Sequence, residues 1–311
     1  MNVPIHRDWA TARLWLALLW LNVGQMPAQV EVLEPLVIRS PLADLSSTAS
    51  GESGGARSSP DGRFLLFLSS ANDLVTHRHN GPVTDLFVRE MATGTISLVS
   101  VTPDGMAGGD DATYQGAISA DGRYVAFESS ARNLVSGASG SDVHLFIRDR
   151  ESGVTQRIPP SLVIPPFGSV PAPLESPLAM DGAGRRIAWV RGGHVYVFDR
   201  ETGVTTALTQ PISGGGSATP ALSWDPQFSS DGLTLAFGSS VANLVRPGTG
   251  PTRAVQVYVV RFDRGNLDPP HLTQIRLTNA QLPMVAGGYS SAGHSLDAAG
   301  RFLTVAIPPA Q

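Results

Sequence analysis

The chain has no cysteine and no lysine. Without cysteine there are no disulfides, no thiolate metal sites, no cysteine nucleophile and no lipid-modified N-terminal cysteine. All 22 basic residues are arginine, they are scattered along the chain, and the formal charge is −4. No basic stripe therefore exists to neutralise a phosphate backbone, and nucleic acid is not an expected partner. Charged residues make up only 15%, while 33 glycines and 24 prolines interrupt the 311 residues. Punctuation that frequent argues against a helical bundle or a coiled coil. A hydrophobic share of 42% is still enough to bury a core.

Long apolar runs are also scarce. The main one, Leu14 to Val23, follows Arg7 and Arg13 and ends where the chain turns polar near Gly24-Gln25. It reads as a signal peptide and is too short to serve comfortably as an anchor. Residues 1–29 are taken as the export signal, with Ala28 before the cut and a mature start near Gln29 or Val30. The mature chain is then slightly more acidic, and its location is periplasmic or extracellular.

One pattern recurs along the rest. Its clearest copies are SSPDGRFLLFLSSANDLV (59–75), ISADGRYVAFESSARNLV (118–135) and FSSDGLTLAFGSSVANLV (228–245), with weaker ones at 180–190 and 296–306. Each turns at a landmark glycine: Gly62, Gly122, Gly184, Gly232 and Gly300. After the glycine, apolar residues alternate as Leu65/Phe67, Val125/Phe127, Ile187/Trp189, Leu235/Phe237 and Leu303/Val305, with small or apolar residues between them. That is a strand buried on both faces. A further strand follows at 85–90, 144–149, 194–199 and 256–263, bringing Phe87, Phe146, Tyr196 and Tyr258 into one register. Thr-Gly or Ser-Gly turns lead to outer strands at 96–101, 154–158, 204–208 and 274–277, and the innermost strand is the one entering the Asp-Gly turn, as in Tyr114 to Ser119 and Trp224 to Ser229. A four-stranded antiparallel meander cannot cover both its faces unless copies stack around an axis, so the expected fold is an all-β propeller over residues 30–311.

The S-x-DG-R strand-turn-strand, followed by D-hydrophobic-aromatic-V-R-D and a Thr-Gly turn, resembles the TolB-type propeller repeat of bacterial exported proteins. It is similar, more distantly, to the propellers that precede the catalytic domain of prolyl oligopeptidase-like hydrolases. The resemblance spans residues 36 to 306 and implies the fold. Neither the small domain preceding the TolB propeller nor a hydrolase domain is visible, so neither protein's role is carried over. Counting glycines gives five blades, the last with only two strands, and six is the alternative if the Pro-rich 159–177 or 263–290 stretches hide another. Leu36 to Arg39 aligns with an outer strand, so the N- and C-terminal strands are expected to share a blade and close the ring, leaving no sheet edge open.

The landmark glycines lie 60, 62, 48 and 68 residues apart, whereas a compact blade needs roughly 40–45. The excess falls in loops such as 70–84, 101–113, 130–142, 159–175, 209–222, 240–254 and 279–290, all of which open on one side of the disc. Loops on a rigid scaffold are where binding evolves, so that side is the expected working face. Tyr114 and Trp224, each eight residues before a landmark glycine, are placed near the channel mouth, with Tyr289 and His294 approaching from the fifth blade. Aromatic residues there suit a sugar ring or a peptide anchor.

Other candidates are weaker on chemical grounds. His77 and His79 lack a carboxylate at a fixed spacing, and Asp104, Asp110 and Asp111 match no calcium loop. His144 and His194 align with Asp85 and Gln256 as a polar strand entrance. Gly51-Glu52-Ser53-Gly54-Gly55 has the letters of a nucleophile elbow, but it sits in a Ser/Gly-rich loop without the strand-turn-helix context. The reading is therefore a non-catalytic, exported, monomeric binding or scaffold propeller for a protein or glycan ligand, with no cofactor and no metal. The alternatives are a propeller enzyme acting through His294, Tyr114, Asp225 and Arg132, or a structural segment of a larger surface protein.

Overall fold

A computed structural model describes residues 49–76, 83–136, 143–159, 177–209, 223–239, 256–262, 271–275, 294–297, 300–301 and 303–305. All of them belong to the unit Val37–Gln311. Every regular element among them is a strand.

The first blade is β1 (Ser53–Ser58), β2 (Phe64–Ser69), β3 (Asp85–Glu90) and β4 (Ile96–Leu98); the second is β5 (Thr113–Ile118), β6 (Tyr124–Ser129), β7 (His144–Asp149) and β8 (Val154–Arg157). The third is β9 (Ala179–Met180), β10 (Arg186–Arg191), β11 (His194–Asp199) and β12 (Val204–Ala207), and the fourth is β13 (Ser223–Phe228), β14 (Thr234–Ser239), β15 (Gln256–Arg261) and β16 (His271–Ile275). Each is an antiparallel meander in sequence order, and the inner strands β1, β5, β9 and β13 lie side by side in that order, followed by β17 (His294–Leu296). A propeller arrangement follows from the stacking.

The expected blade count is not met. Four four-stranded blades are present among the described residues, not five or six: β17 pairs only with β18 (Leu303–Val305), and two paired strands do not make a blade. The ring-closing strand assigned to Leu36 to Arg39 lies outside the described residues. The fourth blade's outer strand begins at His271 rather than Gln274, because Arg261 of β15 pairs with His271 directly after Pro269-Pro270. A smaller correction concerns Ser53, which opens the inner strand β1 and not a loop.

Packing between blades explains the alternation in the sequence. Phe67, Phe127, Trp189 and Phe237 are buried, and each stacks on the facing strand's aromatic residue, Phe87, Phe146, Tyr196 and Tyr258, with ring centroids 5.5–5.7 Å apart. These pairs sit directly opposite in the ladder, where cross-strand contacts are closest. Ala126, Ala188 and Ala236 precede the last three of these rings, and Leu66 precedes Phe67. Phe127 and Phe146 join Leu66, Val88 and Val99 of the first blade in one cluster, while Trp189 and Tyr196 join Leu145 and Ile147 of the second.

The landmark glycine does two jobs at once. At Gly122 and Gly184 φ is +73° and +65°, a region L side chains avoid, and a Cβ would collide with Phe64 or Tyr124 of the preceding blade. Gly62 has the same φ of +73° but nothing within 4 Å. Gly62→Ala should thus incur only the left-handed backbone cost of about 1–2 kcal/mol, whereas Gly122→Ala should add overpacking for a total of about 2–4 kcal/mol. Urea unfolding of both variants checks this, and equal losses would remove the inter-blade role of Gly122.

Candidate functional site

The two ends of the blades differ in kind. One end carries the short turns, and its polar groups are already matched. Ser59, Ser119 and Ser229 donate their hydroxyls to Asp61, Asp121 and Asp231 two residues on, and the backbone N–H groups of Arg63, Arg123 and Leu233 then bond back to those carboxylates. Asp149 receives both Nε and Nη2 of Arg123, at 3.0 and 2.8 Å, and these hydrogen bonds lower its pKa to about 2. Arg150 lies over Phe64 and Arg200 over Tyr124, each reaching an aromatic ring of the blade before its own. This end is an assembly surface.

The other end holds the starts of the inner strands and the long connections. Residues 70–84, 130–143 and 240–255 separate the second and third strands of blades one, two and four. Blade three instead turns through Gly192-Gly193 alone, both at positive φ, so the face has a notch there. The Arg-Gly-Gly-His sequence was a legible hairpin signal that the loop-length argument passed over.

Three of the inner strands, β1, β5 and β13, bulge at this end. One extra residue is inserted between Gly54 and Arg57 in β1, between Thr113 and Gln115 in β5, and between Trp224 and Gln227 in β13. Bulges re-aim a side chain. In β13 the bulge sets Asp225 at φ 51°, a left-handed position that aspartate tolerates better than most residues, and Gln227 Nε2 donates to its Oδ2 at 3.0 Å.

Tyr114 is the bulge residue of β5, stands half exposed, and its hydroxyl lies 3.1 Å from Ser130 Oγ. Trp224 differs. It faces Gly238 across the ladder, and a Cβ at 238 would collide with its indole, so the ring lies flat on the backbone of β14. In the first blade the sizes are exchanged, with Gly54 facing Leu68. The sequence placed the two aromatics in one register, and they do begin equivalent strands, but Trp224 is more a packing residue than Tyr114. The structure sets β5 and β13 on either side of β9. His294 opens β17 next to β13, with its backbone paired to Val305, and Tyr289 lies outside the described residues.

Sequence reading missed a polar cluster beside Tyr114. Gln115 Nε2 donates to Glu128 at 2.8 Å, and its Oε1 accepts the Leu178 N–H at 3.0 Å. Burial raises the Glu128 pKa, with the Gln115 bond and the charge of Arg191, at the lip of the notch, acting in the opposite sense. Only the bulge, invisible in the alternation pattern, brings Gln115 opposite Glu128.

The remaining polar candidates have structural partners. Ser100 Oγ donates to Asp85 at 2.6 Å and accepts from Leu86 N, and Thr209 Oγ1 accepts from Val195 N beside the His194 ring, so Asp85 and His194 hold strand entrances. Asp104 takes Thr102 Oγ1 and Met106 N, and Asp110 takes Arg132 N. Ser53 bonds to Ser69 on the neighbouring strand. His77 and His79 are outside the described residues.

Among solved structures, TolB of Acinetobacter baumannii is 14% identical with a TM-score of 0.42, covering 83% of this chain and 49% of its own. The shared feature is the β-propeller arrangement. A putative TolB of Agrobacterium tumefaciens is 17% identical at TM-score 0.40, over 73% of this chain and 62% of its own. Dipeptidyl peptidase 4 of Porphyromonas gingivalis is 12% identical at TM-score 0.42, over 73% of this chain and 33% of its own. The chain thus spans about half the length of the first of them, and the likeness is one of fold. No protein family matches the sequence, and no curated protein matches it.

Proposed function

We propose that the chain is an exported, non-catalytic β-propeller that binds a protein or glycan ligand through its long-loop face. The observation that carries this reading is the asymmetry of the two ends. Ion pairs, serine–aspartate turns and arginine–aromatic stacks occupy the short-turn end, while the opposite end presents half-exposed Tyr114, the Gln115–Glu128 pair and the Gly192-Gly193 notch. Preorganised polar groups beside an exposed aromatic suit ligand recognition. Residues 1–29 serve as the export signal in this reading. No helix among the described residues is long and apolar enough to cross a membrane.

The test is a glycan and peptide array probed with residues 30–311. Tyr114→Ala should weaken the captured ligand by at least about 1 kcal/mol without shifting the melting temperature. Trp224→Ala should weaken binding and lower stability together, since its indole covers β14. A ligand retained in full by Tyr114→Ala would discard the site.

A further inference from the structure

A second candidate site lies away from the long-loop face, on the outer rim between blades two and three. A cavity of about 660 Å³ is lined by β8, whose outer side pairs with no strand among the described residues, and by Ile147, Ile158 and Phe198. That volume is in the range of pockets that hold several side chains or a small ligand. Arg200, fixed by the Gly184 carbonyl at 3.0 Å and by the Tyr124 ring, borders it on the blade-three side.

The wall of the cavity is a strand edge with groups to offer. Ile158 N–H bonds to Leu145 O, so along this extended strand Val154 and Gln156 also turn their backbone groups toward β7. Thr155 and Arg157 turn theirs outward. Arg157 is exposed and has no hydrogen bond or ion pair among the described residues. Val154, also on β8, is half exposed, so the strand offers apolar surface beside its cation.

We propose that β8 is a docking edge for an extended acidic peptide, which adds as a further strand and lays an apolar side chain over Ile158 and Phe198. Backbone groups of Thr155 and Arg157 supply the pairing, as in strand addition to an exposed sheet edge. The Arg157 guanidinium, with Arg200 bordering the groove, selects a carboxylate side chain on the incoming strand. This site is independent of the long-loop reading and stands or falls without it.

The experiment uses residues 30–311 and two fluorescein-labelled peptides, Glu-Val-Thr-Val-Glu and Arg-Val-Thr-Val-Arg, titrated by fluorescence anisotropy. The acidic peptide should bind at least about tenfold tighter than the basic one. Arg157→Glu, on the surface and outside the core, should keep the wild-type melting temperature and reverse that order. Bound acidic peptide should slow amide hydrogen exchange at Thr155 and Arg157 and leave Gln156 unchanged. Equal affinity for both peptides, or exchange protection elsewhere, would overturn the proposal. So would acidic-peptide binding that emerges only when residues 160–176 are replaced by a Gly-Ser linker, which would make that segment the natural occupant.

Discussion

Replacing Phe127 by alanine is expected to lower the unfolding free energy by about 3–5 kcal/mol, the range for a fully buried aromatic ring lost from a core. Phe127 stacks on Phe146 at 5.5 Å and also packs against Leu66 and Val99 of the blade before it. Its loss removes contacts within one blade and across the gap to the next. Phe127→Leu keeps most of the volume and should cost less than about 1.5 kcal/mol. Urea midpoints at constant slope give the comparison, and an alanine loss below the leucine value would mean that the inter-blade cluster is not a continuous core. Phe67, Trp189 and Phe237 should behave alike because their burial and stacking are alike.

A loss of similar size is expected for Asp199→Ala, for an electrostatic reason. Asp199 is fully buried, accepts Arg185 Nε at 2.9 Å and Glu201 N at 2.9 Å, and lies 3.7 Å from Arg186 Nε. Arg186 is buried too, donates to the Gly232 carbonyl of blade four at 3.0 Å, and lies over Phe262. A second acidic neighbour, Asp181, has its pKa raised by burial, which favours the neutral acid and makes it a poor substitute counterion. Truncating Asp199 strands a buried cation, a change that costs about 3–5 kcal/mol. The double variant Asp199→Ala/Arg186→Met removes the stranded charge and should recover part of that loss. A double variant as unstable as the sum of the singles would show that the two residues act independently.

The two predictions separate what can be read from a sequence from what cannot. Period-two alternation after each Asp-Gly turn, with aromatics repeated in the next strand, was enough to place Phe67, Phe127, Trp189 and Phe237 between stacked sheets. The strand entrances at Asp85 and His194 were legible for the same reason, because equivalent positions repeat. Asp199 was not. It stands where the first blade has Glu90, and nothing local marks it as the centre of a buried ion network reaching the next blade.

Sequence by itself determined the all-β meander, its strand order, the turn glycines and the propeller repeat, since each depends on residues close together in the chain. Tertiary structure decided the number of complete blades, the exchange of Trp224/Gly238 for Gly54/Leu68, and the pairing of Gln115 with Glu128. It also brought β8 and Phe198 to the same cavity. These depend on bulges that shift register by one residue and on surfaces brought together from separate blades, and a one-residue shift changes which side chains meet without altering the hydrophobic pattern that announces the strand.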